Sequence, residues 1–351
     1  MYESFYGLRE LPFELTPNTQ YLFLTPRQHE ALSNLEYGLF SAKPITLLIG
    51  EAGTGKTTLI RAALESERCR KVRSVYINNP ALTTDDFVRT LAGKFGLTGD
   101  AVTSKAALIE ALEATLSERR AKGEITALIV DEAQSLSNTL LEEIRLLANI
   151  ETQTQKLLPL VLAGQPELGV RLEETSLRQF KQRVALRCEI VPFEMRETAA
   201  YIGTRITRAG GVPSRFFTRE AVTIIHEFSG GIARTINVIC DNALTTGMAL
   251  GKQPITRDMV LEVCRDLRLR RRTPDTLGAR GLAQPPAGEE TRPPLGGAAP
   301  VSVLPVPEPE PDAPAVTPVA PAVTPAASAA GDTPAGGDSG PRFAMFGTKV
   351  N

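Results

Sequence analysis

Five apolar runs punctuate the chain: Ile45–Ile49, Val72–Ile77, Ile125–Val130, Leu157–Ala163 and Ala185–Val191. Ile45–Ile49, Ile125–Val130 and Leu157–Ala163 are nearly continuous in apolar residues rather than alternating, as expected of strands buried on both faces. Between them lie Lys56–Glu67, Thr83–Phe95, Ser104–Arg120 and Ser137–Ile150, whose apolar residues recur at helical spacing. Strand–helix alternation predicts an α/β fold, a parallel sheet covered by helices on both faces. From Glu194 to Arg272 the strand pattern stops, and three or four amphipathic helices are expected, with Thr218 and Thr256 as N-caps. The expected organisation is a lead segment over 1–44 packing on the core, an α/β part over 45–193 and a small all-helical part over 194–272.

Composition changes at Thr273. The stretch from there to Asn351 holds 16 of the 26 prolines. Segments such as Pro305-Val-Pro-Glu-Pro-Glu-Pro cannot sustain helix or ladder hydrogen bonds. Residues 273–341 therefore read as a disordered Pro/Ala-rich tether. Aromatic residues return in 342–351, Arg-Phe-Ala-Met-Phe-Gly-Thr-Lys-Val-Asn, a candidate docking peptide. The tail carries 4 basic and 8 acidic side chains, which leaves +3 for residues 1–272 against −1 for the whole chain. That near balance excludes a globally basic nucleic-acid coat. No run approaches the roughly 18 apolar residues of a membrane-spanning helix, and the start shows no signal-like pattern, so a cytoplasmic protein is expected. Cys69, Cys188, Cys240 and Cys264 form no Cys-x-x-Cys pair, and only two histidines are present. A disulfide framework and a zinc site are not expected.

The chemistry concentrates in two places. Gly50-Glu-Ala-Gly-Thr-Gly-Lys-Thr57 matches G-x-x-x-x-G-K-[ST], follows an apolar strand and opens a helix. The glycines let backbone N–H groups turn inward toward phosphate oxygens, and a helix N-terminus favours anions. The expected nucleotide-binding run is Gly50, Glu51, Ala52, Gly53, Thr54, Gly55, Lys56, Thr57 and Thr58. Lys56 serves the β- and γ-phosphates; Thr57, not Thr58, is placed to ligate Mg²⁺. Downstream, the run Ile125–Val130 delivers Asp131 and Glu132. Asp131 is expected to hold Mg²⁺ and Glu132 to polarise the attacking water. An Asp-Glu pair points to hydrolysis of ATP rather than transfer to a small acceptor.

These residues resemble the AAA+ superfamily of ATPases. The opening Met1-Tyr-Glu-Ser-Phe-Tyr-Gly-Leu-Arg-Glu-Leu-Pro-Phe, together with Asp131-Glu-Ala-Gln-Ser-Leu, Gly164-Gln-Pro-Glu-Leu and Leu177-Arg-Gln-Phe-Lys-Gln-Arg-Val, is similar to the general secretion pathway protein A and exosortase-associated group. The resemblance covers about residues 1–270. It implies that 194–272 is a lid. It also implies a γ-phosphate sensor at Gln165, a second sensor at Arg234 and an arginine finger at Arg183 reaching a neighbouring subunit, with Arg178 and Arg187 as competitors. Asn78 or Asn79 takes the place of the polar residue that restrains the catalytic glutamate. The aromatic lead segment and His29 are expected to pack without ligand contact, and His226 to be a partly buried helix residue. Members of this group commonly carry a membrane segment and a wall-binding domain after the ATPase; here a Pro/Ala stretch stands in that place.

The implied function is an ATPase that energises or regulates a secretion or envelope-export assembly as a homo-oligomeric ring. It would lie in the cytoplasm, peripheral to the inner membrane through partners. The alternative is an ATP-dependent DNA-binding regulator of the transposition type, to which the basic cluster Arg265–Arg272 would contribute. A scaffold acting through 342–351 is the third reading.

Overall fold

A computed structural model describes residues 2–16, 18–78, 83–102 and 104–272. The tether 273–341, the peptide 342–351 and Asn79 lie outside the described residues. Two helices open the chain, α1 (Tyr2–Tyr6) and α2 (Pro26–Phe40), the second started by a Thr25/Gln28 capping box with a proline in its first turn. Then follow β1 (Ile45–Gly50), α3 (Lys56–Glu65), β2 (Val72–Ile77), α4 (Thr84–Phe95), α5 (Lys105–Ala121), β3 (Ile125–Val130) and α6 (Asn138–Leu147). The α/β part closes with β4 (Leu160–Gly164), α7 (Pro166–Arg171), α8 (Arg178–Lys181) and β5 (Val184–Ile190). The helical part holds α9 (Met195–Arg208), α10 (Arg219–Ser229), α11 (Ala233–Ala249) and α12 (Arg257–Asp266).

The five strands form one parallel sheet in the order β2-β3-β4-β1-β5. Every residue of β1 and β3 is buried, which accounts for their unbroken apolar runs. Each such aliphatic side chain contributes about 1.5–3 kcal/mol on burial. One core lies on each face of the sheet: Leu47, Leu128 and Leu162 on one side, Leu48, Ile129 and Val161 on the other. The order places β4 between β3 and β1. The strand ends carrying Gly50, Asp131 and Gln165 are therefore neighbours at one edge, the crevice where open α/β sheets bind ligands.

Three expectations shift. The fourth strand begins at Leu160 rather than Leu157, because Pro159 has no N–H for the ladder while Leu157 and Leu158 are buried in loop conformation. Thr218 caps α10 through a bond from Ala221 N, but Thr256 occupies its N-cap position without such a bond. The lead segment divides: α2 packs on the sheet, whereas Tyr2, Tyr6, Leu8 and Phe13 belong to the core of the helical part. The physical reason is polar as well as apolar. Tyr2 Oη donates to Asp241 Oδ1 at 2.5 Å, Tyr6 Oη to the Leu244 carbonyl at 3.1 Å, and Arg9 N to the Ala209 carbonyl at 2.8 Å.

All four cysteines are free and buried. Among the described residues no helix is long and apolar enough to cross a membrane.

Candidate nucleotide site

β1 delivers the chain into the glycine loop at Gly50. A Cβ on Gly50 would stand 2.8 Å from the Ile190 carbonyl oxygen, and one on Gly53, at φ +83°, 2.8 Å from Arg234 Cβ. The backbone closes here only without side chains. α3 then begins at Lys56 with no side chain capping its N-terminus. Its first N–H groups are left without helical partners, in the arrangement that accepts an anion.

Lys56 is buried, and its Nζ donates to the carbonyls of Gly50 at 2.8 Å and Glu51 at 3.1 Å. Burial lowers its pKa, opposed by the negative charges of Glu132 and Asp131. Thr57 Oγ1 donates to Asp131 Oδ2 at 2.7 Å, while Asp131 Oδ1 accepts from Glu132 N at 2.9 Å. A hydroxyl and a carboxylate of the hard-oxygen type Mg²⁺ takes thus meet across the mouth of the loop. This donor set fits the ion. Glu132 turns out of β3 in the left-handed region, φ +54°.

Gln165 occupies the N-cap position of α7 without a capping bond, and its side-chain Nε2 donates to Glu132 Oε2 at 3.4 Å. At the other wall, α11 starts against the loop: Arg234 N donates to the Gly53 carbonyl at 3.0 Å. That entry depends on Gly231, at φ +75°, where a Cβ would collide with the Phe193 carbonyl oxygen at 2.0 Å. The glycine loop, Glu132 and Arg234 border one cavity of about 420 Å³, whose far wall includes Leu22, Phe23, Tyr201 and Arg205.

Arg183 lies elsewhere. It precedes Val184, which pairs with Ile45, whereas Ile190 pairs with Gly50. At about 3.3 Å per strand residue, roughly 20 Å of sheet separates Arg183 from the loop of its own chain. It is exposed, and neither it nor Arg178 forms an ion pair among the described residues; Arg187 is joined to Glu173 at 3.5 Å. Asn78 is exposed at the end of β2 and makes no hydrogen bond to Glu132. Arg271 and Arg272 of the basic cluster fold back, to Glu227 at 3.5 Å and to Glu51 at 3.6 Å. His226, partly buried on α10, shares a hydrogen bond at Nδ1 with Thr198 Oγ1 at 2.9 Å and does not border the cavity.

Two site features were not foreseen from the sequence. Arg205 is buried beside the cavity, donating to the carbonyls of Pro12 and Glu14 and stacking 4.7 Å over Tyr21. Its signal was present: Tyr201 and Arg205 share one face of α9 at a four-residue spacing. The second, Gln134, hydrogen-bonds Glu132 at 2.6 Å.

Residues 40–172 match the AAA domain family. General secretion pathway protein A of Aeromonas hydrophila is 40% identical over 255 residues, 73% of this chain and 46% of that protein. The chain thus spans about half the length of this curated relative. Among solved structures, the ORC2 protein of Aeropyrum pernix is 18% identical with a TM-score of 0.55, covering 76% of this chain and 74% of that one. Cdc6p from Pyrobaculum aerophilum is 19% identical with a TM-score of 0.56, covering 76% and 73%. These likenesses establish the fold. With that fold, the matched domain and the secretion relative together, the chain belongs to the AAA+ family, in the group of general secretion pathway protein A.

Proposed function

We propose that the chain is a Mg²⁺-dependent ATPase whose sheet edge and helical lid enclose the triphosphate. The observation that carries this reading is the Thr57–Asp131 hydrogen bond of 2.7 Å at the mouth of an uncapped, glycine-lined helix start. In this reading residues Gly50 to Thr58 surround the phosphates with backbone N–H groups. Lys56 exchanges its two carbonyl partners for phosphate oxygens. Thr57 and Asp131 hold Mg²⁺, which when bound neutralises charge on the phosphate oxygens. Glu132 accepts the proton of a water whose oxygen bonds to the γ-phosphorus as the bond to ADP breaks. Gln165 and Arg234 contact the γ-phosphate from the sheet and the lid, and the far wall, with Leu22, Phe23 and Tyr201, receives the base. Residues 194–272 then act as a lid whose position follows the nucleotide.

The roughly 20 Å between Arg183 and its own loop supports a finger in trans, hence a homo-oligomeric ring. Kinship with general secretion pathway protein A supports the finer reading that turnover drives or regulates a secretion or envelope-export assembly through protein partners, at the cytoplasmic face of the inner membrane. The basic cluster gives little support to DNA binding, because Arg271 and Arg272 are drawn onto Glu227 and Glu51.

The test is phosphate release by wild type, Lys56→Ala and Glu132→Gln. Wild type hydrolyses ATP only with Mg²⁺, and Lys56→Ala neither binds nor hydrolyses it. Glu132→Gln binds ATP normally but turns it over at least about 100-fold more slowly. Normal turnover by Glu132→Gln would falsify the general-base assignment.

A further inference from the structure

The carboxylate of Glu132 is restrained by a residue two positions along the same turn. After the left-handed turn at Glu132, a short 3-10 segment over Ala133–Ser135 brings the Gln134 side chain back, and its Nε2 donates to Glu132 Oε2 at 2.6 Å. The other end of that amide settles its orientation. Gln134 Oε1 accepts from the backbone N–H of Gln165 at 3.1 Å. A backbone N–H can only donate, so the oxygen faces Gln165 and the NH₂ must face Glu132.

The surroundings hold this amide in place. Arg171 donates to the Gln134 carbonyl at 2.9 Å, to the Leu136 carbonyl at 2.6 Å and to Asn138 Oδ1 at 2.9 Å, fastening the turn to α7. Gly164 leaves the space, since a Cβ there would stand 3.3 Å from Gln134 Oε1 and 2.5 Å from Leu168 Cδ2. Asn78, one of the two residues expected to restrain Glu132, makes no bond to it, and the other, Asn79, lies outside the described residues.

We propose that Gln134 is a positioning residue that fixes the Glu132 carboxylate toward the cavity and ties its orientation to the end of β4 at Gln165. The inference rests on the ATPase reading. A free glutamate side chain samples several rotamers, and a hydrogen bond to its ionised oxygen is of the stronger, charge-assisted kind that selects one. The amide offers an acceptor on one side and a donor on the other, as the two bonds require. A glutamate at position 134 would keep the bond from Gln165 N–H but repel Glu132, and a methionine would keep the shape and lose both bonds. Because one amide joins both partners, a shift of the β4 end on meeting a γ-phosphate is passed to the carboxylate.

The experiment uses the full chain with Gln134→Met and Gln134→Glu, reading kcat, KM, ATP affinity and hydrogen exchange at the Gln165 amide without nucleotide. In both variants kcat falls by about 10- to 100-fold while KM and affinity stay within about twofold. Exchange at Gln165 accelerates in Gln134→Met and stays slow in Gln134→Glu. Adding Gln134→Met to Glu132→Gln produces no further loss, because the group being positioned is already gone. If Gln134→Met melts early, Gln134→Glu carries the kinetic test. Active wild type with near-normal kcat in both variants overturns the positioning role. Inactive wild type overturns the proposed function instead, and unchanged Gln165 exchange in Gln134→Met overturns the bridge on its own.

Discussion

At the residue scale, the site is built where the chain adopts conformations or approaches that few residues tolerate. Gly231 is one such point: its φ of +75° and its contact with the Phe193 carbonyl leave no room for a methyl group. Gly231→Ala is expected to destabilise the fold by about 3 kcal/mol, combining backbone strain with overpacking. The effect should appear in calorimetry as a Tm lowered by roughly 10 °C. A change within about 1 °C would show that the α11 entry is not held this way. Residues at this scale were legible in the sequence when their chemistry depends on local order. The glycine loop, Thr57 and the Asp131–Glu132 pair follow one another along the chain in a fixed grammar. Gln134 was not legible, because its role depends on Gln165, which the parallel sheet brings beside it from another strand.

At the element scale, the lead segment is fastened to the lid by α9. Arg205 donates from a buried guanidinium to the carbonyls of Pro12 and Glu14 and to Tyr201 Oη at 2.6 Å. It also lies 4.7 Å over the Tyr21 ring and 5.4 Å over that of Tyr201. Arg205→Ala leaves those carbonyls without a charged donor, a loss on the order of 2–3 kcal/mol. Hydrogen exchange over residues 2–16 should rise in Arg205→Ala. Arg205→Lys should not restore it, because an ammonium cannot reproduce the planar fork and the stacking. Unchanged exchange would detach Arg205 from this role. Periodicity disclosed β1 and β3 almost to the residue, since their burial on both faces writes itself as a nearly unbroken apolar run. It misplaced the start of β4, where Leu157 and Leu158 are apolar because they are buried, not because they are paired. It also could not say where the aromatic lead segment packs, as Tyr2 and Tyr6 meet partners some 240 positions away on α11.

At the scale of the whole molecule, buried neutral groups set the alkaline limit of stability. Burial pushes the Cys188 and Cys264 thiols up to about 11 and the Tyr6 and Tyr76 hydroxyls up to about 12. Unfolded, these groups lose their protons near 9.0 and 10.0. Between about pH 9 and 12 the folded chain therefore binds more protons than the unfolded one, and stability falls as pH rises through that window. Lys56, lowered by burial, acts in the opposite sense but alone. The midpoint of thermal unfolding should be insensitive to these groups below pH 9 and drop steadily above it; a flat profile to pH 11 would contradict the burial of these thiols and phenols. Assembly belongs to the same scale. Arg183→Ala and Lys56→Ala subunits, each inactive, should recover part of the ATPase rate when mixed, because one supplies the intact loop and the other the intact finger. Absence of recovery in verified mixed assemblies would count against a finger in trans. The ATPase reading depends on a magnesium-bound triphosphate occupying the loop that begins at Gly50. Equilibrium binding of a fluorescent ATP analogue, with Mg²⁺ and with chelator, tests that most directly. Saturable binding by wild type, weakened by chelator and abolished in Lys56→Ala, is the predicted result; equal binding by wild type and Lys56→Ala, or none by either, would contradict it.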